Sequence, residues 1–242
     1  MSQPAASSQA RAVYQSRIYE NHGLAALTTL VQPEDHAVLD IGCGAGANMA
    51  ALRARGHAVT GITVSQAEAD RLHQQGFAAL MHDVTSDALP FPAASFDALL
   101  FSHVLEHLPW PDEVLTRYKT LLRPDGRVYI AIPNALHLVQ RWQFLRGRFR
   151  YTEQGLMDCT HLRFFDFHSA RAMVESAGLT VQTHLAPGQI PLGPLRTLMP
   201  APAARLDAWV SQKRPALFGS HILMVAKHSP YPPAGNKHWI SR

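Results

Sequence analysis

Asp40-Ile41-Gly42-Cys43-Gly44-Ala45-Gly46 closes a short apolar run, Ala37-Val38-Leu39, and leads into residues 45–55, which are rich in good helix formers. The order is strand, turn, helix. Glycine stands at alternate positions through the turn, so the backbone can bend sharply and a ligand can approach its amides without meeting a Cβ. A tight turn that binds nothing would favour the same glycines. The spacing G-x-G-x-G differs from the G-x-G-x-x-G that holds a dinucleotide pyrophosphate, and Asp40 stands directly before it. A carboxylate there repels phosphate and attracts an ammonium group, which disfavours a nicotinamide-dependent oxidoreductase.

Outward from this turn the alternation continues. Strands are expected at 58–63, 78–82, 96–102 and 127–132, with helices at 66–75 and 112–122 between them. A helix at 168–177, stopped by Gly178, leads to strands at 179–185 and 220–227. Strands alternating with helices imply right-handed crossovers and a doubly wound α/β fold, a mostly parallel seven-stranded sheet covered on both faces. Residues 1–32 read as a polar tail and a covering helix (11–31), residues 33–228 as the main domain, and 229–242 as a Pro-rich tail. Two insertions interrupt the pattern. One is 133–166, and the other is 186–219, with six prolines and a short helix at 203–212.

The 242 residues are 47% hydrophobic with a formal net charge of +4, the profile of one globular domain and not of a disordered chain. The longest apolar stretches are of strand length, well short of the ~20 residues of a membrane span. The first ten residues lack the basic start and apolar run of a secretory signal, and two cysteines, Cys43 and Cys159, make no disulfide framework. A cytoplasmic location is therefore expected. The basic residues are dispersed, so no nucleic-acid partner is expected; self-association as a homodimer stays open.

The glycine turn resembles the first motif of the class I S-adenosylmethionine-dependent methyltransferases, and further positions between Pro33 and Leu185 are similar to that family. Met81-His82-Asp83-Val84 looks like the segment whose acid hydrogen-bonds the adenine amine. Leu89-Pro90-Phe91-Pro92 with Ser95-Phe96-Asp97 and Phe101-Ser102-His103-Val104-Leu105-Glu106-His107-Leu108 resembles the family's fourth motif, and Leu121-Leu122-Arg123-Pro124-Asp125-Gly126-Arg127 resembles the turn before the fifth strand. The resemblance implies S-adenosyl-L-methionine as cofactor, held by Asp40, Gly42, Gly44, Gly46, Thr63, Gln66, Asp83, Val84 and Ser102. Tyr19, on a helix that also carries Tyr14 and Arg17, would cover its methionine end. The second strand departs from the commonest pattern: Thr63-Val64-Ser65-Gln66 offers hydroxyls and an amide where a carboxylate usually meets the ribose.

Methyl transfer from a sulfonium needs alignment and exclusion of water, and a hydroxyl acceptor is helped by a base whose pKa lies near the working pH. His107 and His161 are the candidates for that base, with His103, Tyr151, Asp158 and Arg163 as candidate acceptor contacts. A buried polar cluster that pins the insertion would use the same residues. The insertion's aromatics, Trp142, Phe144, Phe149, Tyr151, Phe164 and Phe165, could line an acceptor pocket, and its excess of arginine suits an anionic acceptor. His103-Val104-Leu105-Glu106-His107 also spells H-x-x-E-H, but it begins at a strand end and meets Pro109 and Pro111, so no helical zinc site, and no metal, is expected. The sequence thus implies a methyltransferase acting on a small or carrier-linked sugar, lipid or secondary metabolite, most naturally at oxygen. The alternative is a non-catalytic protein that keeps the cofactor fold to regulate a partner enzyme.

Overall fold

Apolar residues fill the first strand almost without interruption, and this requires cover on both faces of the sheet. In the computed structural model, which describes residues 23–188 and 195–229, Val38, Leu39 and Ile41 of β1 (Ala37–Ile41) are fully buried. β1 lies parallel to β2 (Ala58–Thr63) on one side and to β4 (Phe96–Ser102) on the other, and β2 lies parallel to β3 (Ala78–Met81). With β5 (Leu122–Pro133), β6 (Leu179–Leu185) and β7 (His221–His228), the order is β3-β2-β1-β4-β5-β7-β6. β6 and β7 pair antiparallel, with an irregularity between Val181 and Thr183. This is the doubly wound, mostly parallel seven-stranded sheet expected from the alternation.

The helices are α1 (Ala25–Thr28), α2 (Ala47–Ala54), α3 (Gln66–Gln74), α4 (Pro111–Tyr118), α5 (Leu138–Leu145), α6 (Phe167–Ser176), α7 (Leu195–Leu198), α8 (Pro200–Lys213) and α9 (Pro215–Phe218) among the described residues. Three boundaries differ from the sequence reading for local reasons. The helix expected at 112–122 begins at Pro111, a residue suited to a first helical turn, and tightens into a 3-10 turn at Lys119–Leu121. β5 starts at Leu122, five residues before the strand expected at 127; Pro124 lies in the exposed stretch 123–125, where a missing N–H near a strand start is tolerated. The second insertion, expected to hold one short helix, forms α7, α8 and α9 among its described residues. Most of the expected N-terminal helix, with Tyr14, Arg17 and Tyr19, lies outside the described residues, as does the tail from 230.

The chain packs as two compact units. Among the described residues, one comprises 23–102 together with 117–127, and the other 103–116, 128–188 and 195–229. In the first, Leu39, Met49, Leu52, Ile62, Leu72 and Leu99 form a core from which water is excluded. The second closes over Ile130, Ile132, Phe165, Met173, Val174 and Met224. α6 there has a reciprocal cap, in which Asp166 accepts from the Ser169 amide and the Ser169 hydroxyl accepts from the Asp166 amide. No helix among the described residues is long and apolar enough to cross a membrane.

Candidate functional site

In the first unit the turn after β1 is built from backbone. Gly42, Gly44 and Gly46 all adopt positive φ, at 72°, 53° and 85°, a region that side chains with a Cβ rarely enter. The Gly42 and Cys43 amides donate to the Ile62 carbonyl at 2.8 and 2.9 Å, tying the turn to the end of β2. The fit is tight on both sides. A Cβ on Gly46 would stand 2.4 Å from Leu72 Cδ2, and one on Gly61 would stand 2.7 Å from Cys43 Sγ. Gly61, outside the motif, is therefore required by the same turn.

Asp40 stands apart from the other buried acids of this unit. Asp35 is paired with Arg127 at 2.6 Å, and Glu68 accepts the Thr63 hydroxyl. Asp97, nearer the surface, accepts from the Ala37 amide and from Arg123; burial raises its pKa, but these donors outweigh it and hold the carboxyl below the usual range. Asp40 is fully buried and neither oxygen has a hydrogen-bond partner among the described residues. Burial pushes its carboxyl up to about 8. A buried carboxylate without a donor costs several kcal/mol in general, so its place beside a turn bare of side chains marks a position for a bound cationic or donor group.

The remaining residues inferred from the second and third strands fall in different settings. Thr63 is buried; its hydroxyl donates to Glu68 and also accepts the Ser65 amide at 3.1 Å. Gln66 is exposed and donates to Asp70 at 2.8 Å. Glu68 was not singled out from sequence, although Ser65-x-x-Glu68 is the spacing of a helix cap, and Ser65 Oγ does accept the Glu68 amide. Asp83 is exposed, with Oδ1 accepting from the amide and hydroxyl of Thr85 at 2.9 and 2.7 Å. Val84 beside it is buried, and Ser102 is half-buried at the end of β4. Arg117, also missed from sequence, braces this loop by donating to the Val84 and Ser86 carbonyls at 3.1 and 2.5 Å.

The second unit contains a cavity of about 440 Å³ lined by His103, Glu106, His107, Asp158, His161 and His221 among others. His103 leads the loop after β4 at φ 57°, a strained position for a residue with a side chain. Its Nδ1 is 3.0 Å from Glu106 Oε1. Glu106 is buried, in the single 3-10 turn Leu105–His107, and its Oε2 has no partner. His107 Nδ1 meets the Thr160 carbonyl at 3.2 Å and the Thr160 hydroxyl at 3.1 Å, and that hydroxyl donates to Asp158 Oδ1 at 2.7 Å. His161 Nδ1 meets the Leu156 carbonyl at 2.9 Å. A carbonyl can only accept, so the neutral form of both rings carries its proton on Nδ1 and leaves the lone pair on Nε2. Burial, followed by the nearby His103, pushes His221 down to about 4, so this imidazole is neutral at neutral pH.

Four of the six residues inferred for catalysis and acceptor contact, His103, His107, Asp158 and His161, are thus assembled around one cavity from two segments of sequence. The other two are elsewhere. Arg163 donates to the Pro109 carbonyl through Nε and Nη2 at 3.0 and 2.6 Å and lies over Trp110, bracing the insertion where an anion clamp was expected. Tyr151 is exposed and packs edge-on to Phe149 at 5.6 Å. The insertion's aromatics do not line the cavity as expected: Trp142, Phe149 and Tyr151 face solvent, and Phe149 stacks on Phe144. The short span from Phe144 to Tyr151 lets these rings satisfy one another at the surface.

Comparison with known proteins gives this geometry its class. A family model described as a methyltransferase domain matches residues 14–184, more than half of the chain. The chain belongs to that family, the class I S-adenosylmethionine-dependent methyltransferases, and S-adenosylmethionine is its cofactor. It is similar to the ubiquinone biosynthesis O-methyltransferase of Aeromonas salmonicida, 31% identical over 161 residues that cover 62% of this chain and 67% of the relative. The corresponding protein of Stutzerimonas stutzeri is 35% identical over 102 residues, 40% of this chain and 44% of that one. The chain thus spans less than half the length of several curated relatives it matches. Among solved structures, the 1,6-didemethyltoxoflavin-N1-methyltransferase of Burkholderia thailandensis with bound S-adenosylhomocysteine shares the fold at a TM-score of 0.54 and 18% identity, over 85% of this chain and 77% of that one.

Proposed function

We propose that this protein transfers a methyl group from S-adenosylmethionine to an oxygen of a small or carrier-linked acceptor. The observation that carries the reading is Asp40: a buried carboxylate with no protein donor, beside a turn kept free of side chains by three glycines at positive φ. In this reading Asp40 answers the ammonium of the cofactor's methionine part, the turn amides and Gly44 and Gly46 admit its chain, and the exposed Asp83 carboxylate takes the adenine amine. Thr63 holds the ribose edge through Glu68, whose carboxylate fills the role that an acid on the second strand plays elsewhere; Gln66, turned to Asp70, has the lesser part.

The cofactor supplies an activated methyl group, so the protein's work is to orient the acceptor and accept its proton. The cavity residues fit a hydroxyl acceptor. His107 and His161 offer bare Nε2 atoms, each ring fixed by a hydrogen bond at Nδ1, and Asp158 orients His107 through Thr160. The curated relatives named O-methyltransferases support oxygen as the methylated atom. Their named pathway does not by itself assign this chain's acceptor.

Incubation with labelled S-adenosylmethionine and fractionated host metabolites tests the proposal. Label entering a hydroxyl-bearing compound supports it, with His107→Ala and His161→Ala lowering kcat by ~10²-fold or more, the general size of an acid–base contribution. Tight S-adenosylhomocysteine binding with no methyl acceptor in any fraction would favour the non-catalytic alternative.

A further inference from the structure

The arginines of the first insertion divide into two groups. Arg141 donates through Nε to the Leu136 carbonyl at 2.6 Å, Arg146 lies over the Trp142 ring, and Arg163 is held by the Pro109 carbonyl. Arg148 and Arg150 are different. Both are exposed, and neither guanidinium has a hydrogen-bond or ion-pair partner among the described residues. Together they line a further cavity of the second unit, about 410 Å³ in volume, whose wall also includes Gln140, Gln143, Thr152 and Leu156 and contains no acid.

Local structure accounts for this wall. Gln140 and Gln143 are neighbours one turn apart on α5, and the Arg148 amide donates to the Gln143 carbonyl at 2.9 Å, which brings the chain back to that helix. Phe149, between the two arginines, leaves the wall and stacks on Phe144. Further along, the Thr152 amide donates to the Met157 carbonyl at 2.8 Å and the Cys159 amide to the Thr152 carbonyl at 3.0 Å, closing the turn that carries Leu156. Gln140 is only 9% exposed, yet its side-chain amide has no partner among the described residues. A buried amide facing a cavity in this state is a hydrogen-bonding position that a ligand can fill.

We propose that Arg148 and Arg150 bind a phosphate group, in monoester or diphosphate linkage, carried by a soluble acceptor whose reacting hydroxyl lies in the histidine cavity. Two guanidinium forks without a counter-ion match the oxygens of a phosphate, and a wall without acids does nothing to repel it. Gln140 and Gln143 add neutral donors. Leu156 lines both cavities, and its carbonyl holds His161 Nδ1 at 2.9 Å. The two cavities thus share a wall residue, so an acceptor anchored on the arginines reaches the histidines by passing Leu156. The anion clamp expected at Arg163 falls instead on two arginines of the same insertion. The part played by the phosphate as a handle rests on the proposed function; the binding of phosphate does not.

The test uses the full-length protein, free of cofactor, titrated with pyrophosphate and followed by calorimetry and phosphorus NMR. One saturable site is expected, and Arg148→Gln and Arg150→Gln should each weaken it about tenfold or more, the general effect of losing a charge-assisted hydrogen bond. Arg148→Lys should recover only part of the affinity, because lysine lacks the fork, and Arg146→Gln, outside the wall, should leave it unchanged. No saturable site, or equal affinity in folded Arg148→Gln and Arg150→Gln, overturns the proposal. Vesicles of phosphatidylcholine and phosphatidylglycerol separate the sources of phosphate: arginine-dependent vesicle binding without a pyrophosphate site also overturns it, in favour of a lipid headgroup. On an acceptor found by methyl labelling, the two glutamine variants should raise KM about tenfold with kcat little changed. A phosphate-free acceptor methylated equally well by native and variant protein would overturn the handle while the methyltransferase reading stands. Absence of any methyl acceptor would remove that reading and the handle with it, whereas the pyrophosphate site is decided by its own titration.

Discussion

The glycine turn of the first unit and the histidine cavity of the second solve opposite problems. The turn works by absence: Gly42, Gly44 and Gly46 keep side chains away, and Asp40 is left without a donor. The cavity works by convergence, as Thr160 and Asp158 orient His107, Leu156 orients His161 and His103 orients Glu106. A site made of backbone tolerates almost no added atom, whereas a site made of side chains loses function one oriented group at a time. The contrast also separates the two electrostatically. One holds a buried acid whose pKa is raised, and the other a half-buried histidine whose pKa is lowered.

The sharpest break in that contrast should come from Gly46→Ala. Positive φ and a clash with Leu72 at 2.4 Å combine, so a loss of about 2–4 kcal/mol of stability is expected in denaturant titration, with weakened cofactor binding. An unchanged midpoint would mean that the turn is less constrained than its geometry implies. Next in size is Asp40→Asn. Losing one charge-assisted hydrogen bond, worth roughly 1.5–3 kcal/mol, should weaken S-adenosylhomocysteine about ten- to a hundredfold in calorimetry while leaving the protein folded.

The pH dependence of the cofactor-free protein sharpens the same comparison. Asp40 has a folded pKa of about 8 against the ordinary 3.8 of an unfolded chain, so the folded state binds the extra proton between them and its contribution to stability falls as pH rises through that window. His221 has a folded pKa of about 4 against 6.5, so the unfolded state takes up the proton first and stability is lost as pH falls from 6.5 towards 4. The two slopes oppose each other up to pH 6.5, and above it only the Asp40 decline remains. Thermal melts should show that decline vanish in Asp40→Asn, while His221→Gln should extend it down towards pH 4. A smaller effect is expected from Arg117→Ala. It frees the Val84 and Ser86 carbonyls and should raise the S-adenosylhomocysteine Kd severalfold with little change at the cavity; no change would remove Arg117 from the cofactor site.

The two regions were unequally legible in the sequence. The turn could be read because its elements are contiguous: an apolar strand, alternate glycines and a helix occupy residues 37–55. The doubly wound, mostly parallel sheet followed from the same local alternation. The cavity depends on pairings such as His107 with Thr160, 53 positions apart, which no local period encodes. His107 and His161 were reachable by residue type, but Glu106 stood out from sequence only within a motif resemblance and a zinc pattern whose helix the chain does not form. Arg163 looked like an anion clamp because its charge is legible and its contact with the Pro109 carbonyl is not. Thr63 was legible as a candidate ribose contact, but its partner was not, since the Glu68 carboxylate that takes its hydroxyl hides within an ordinary helix cap.

The most direct test of the account is calorimetric titration of S-adenosylhomocysteine into the native protein and into Gly44→Arg, which places a long cation in the turn. The account predicts one equivalent bound by the native protein and none by the folded variant. Equal binding by both would contradict it, because the nucleoside would then occupy some other part of the molecule.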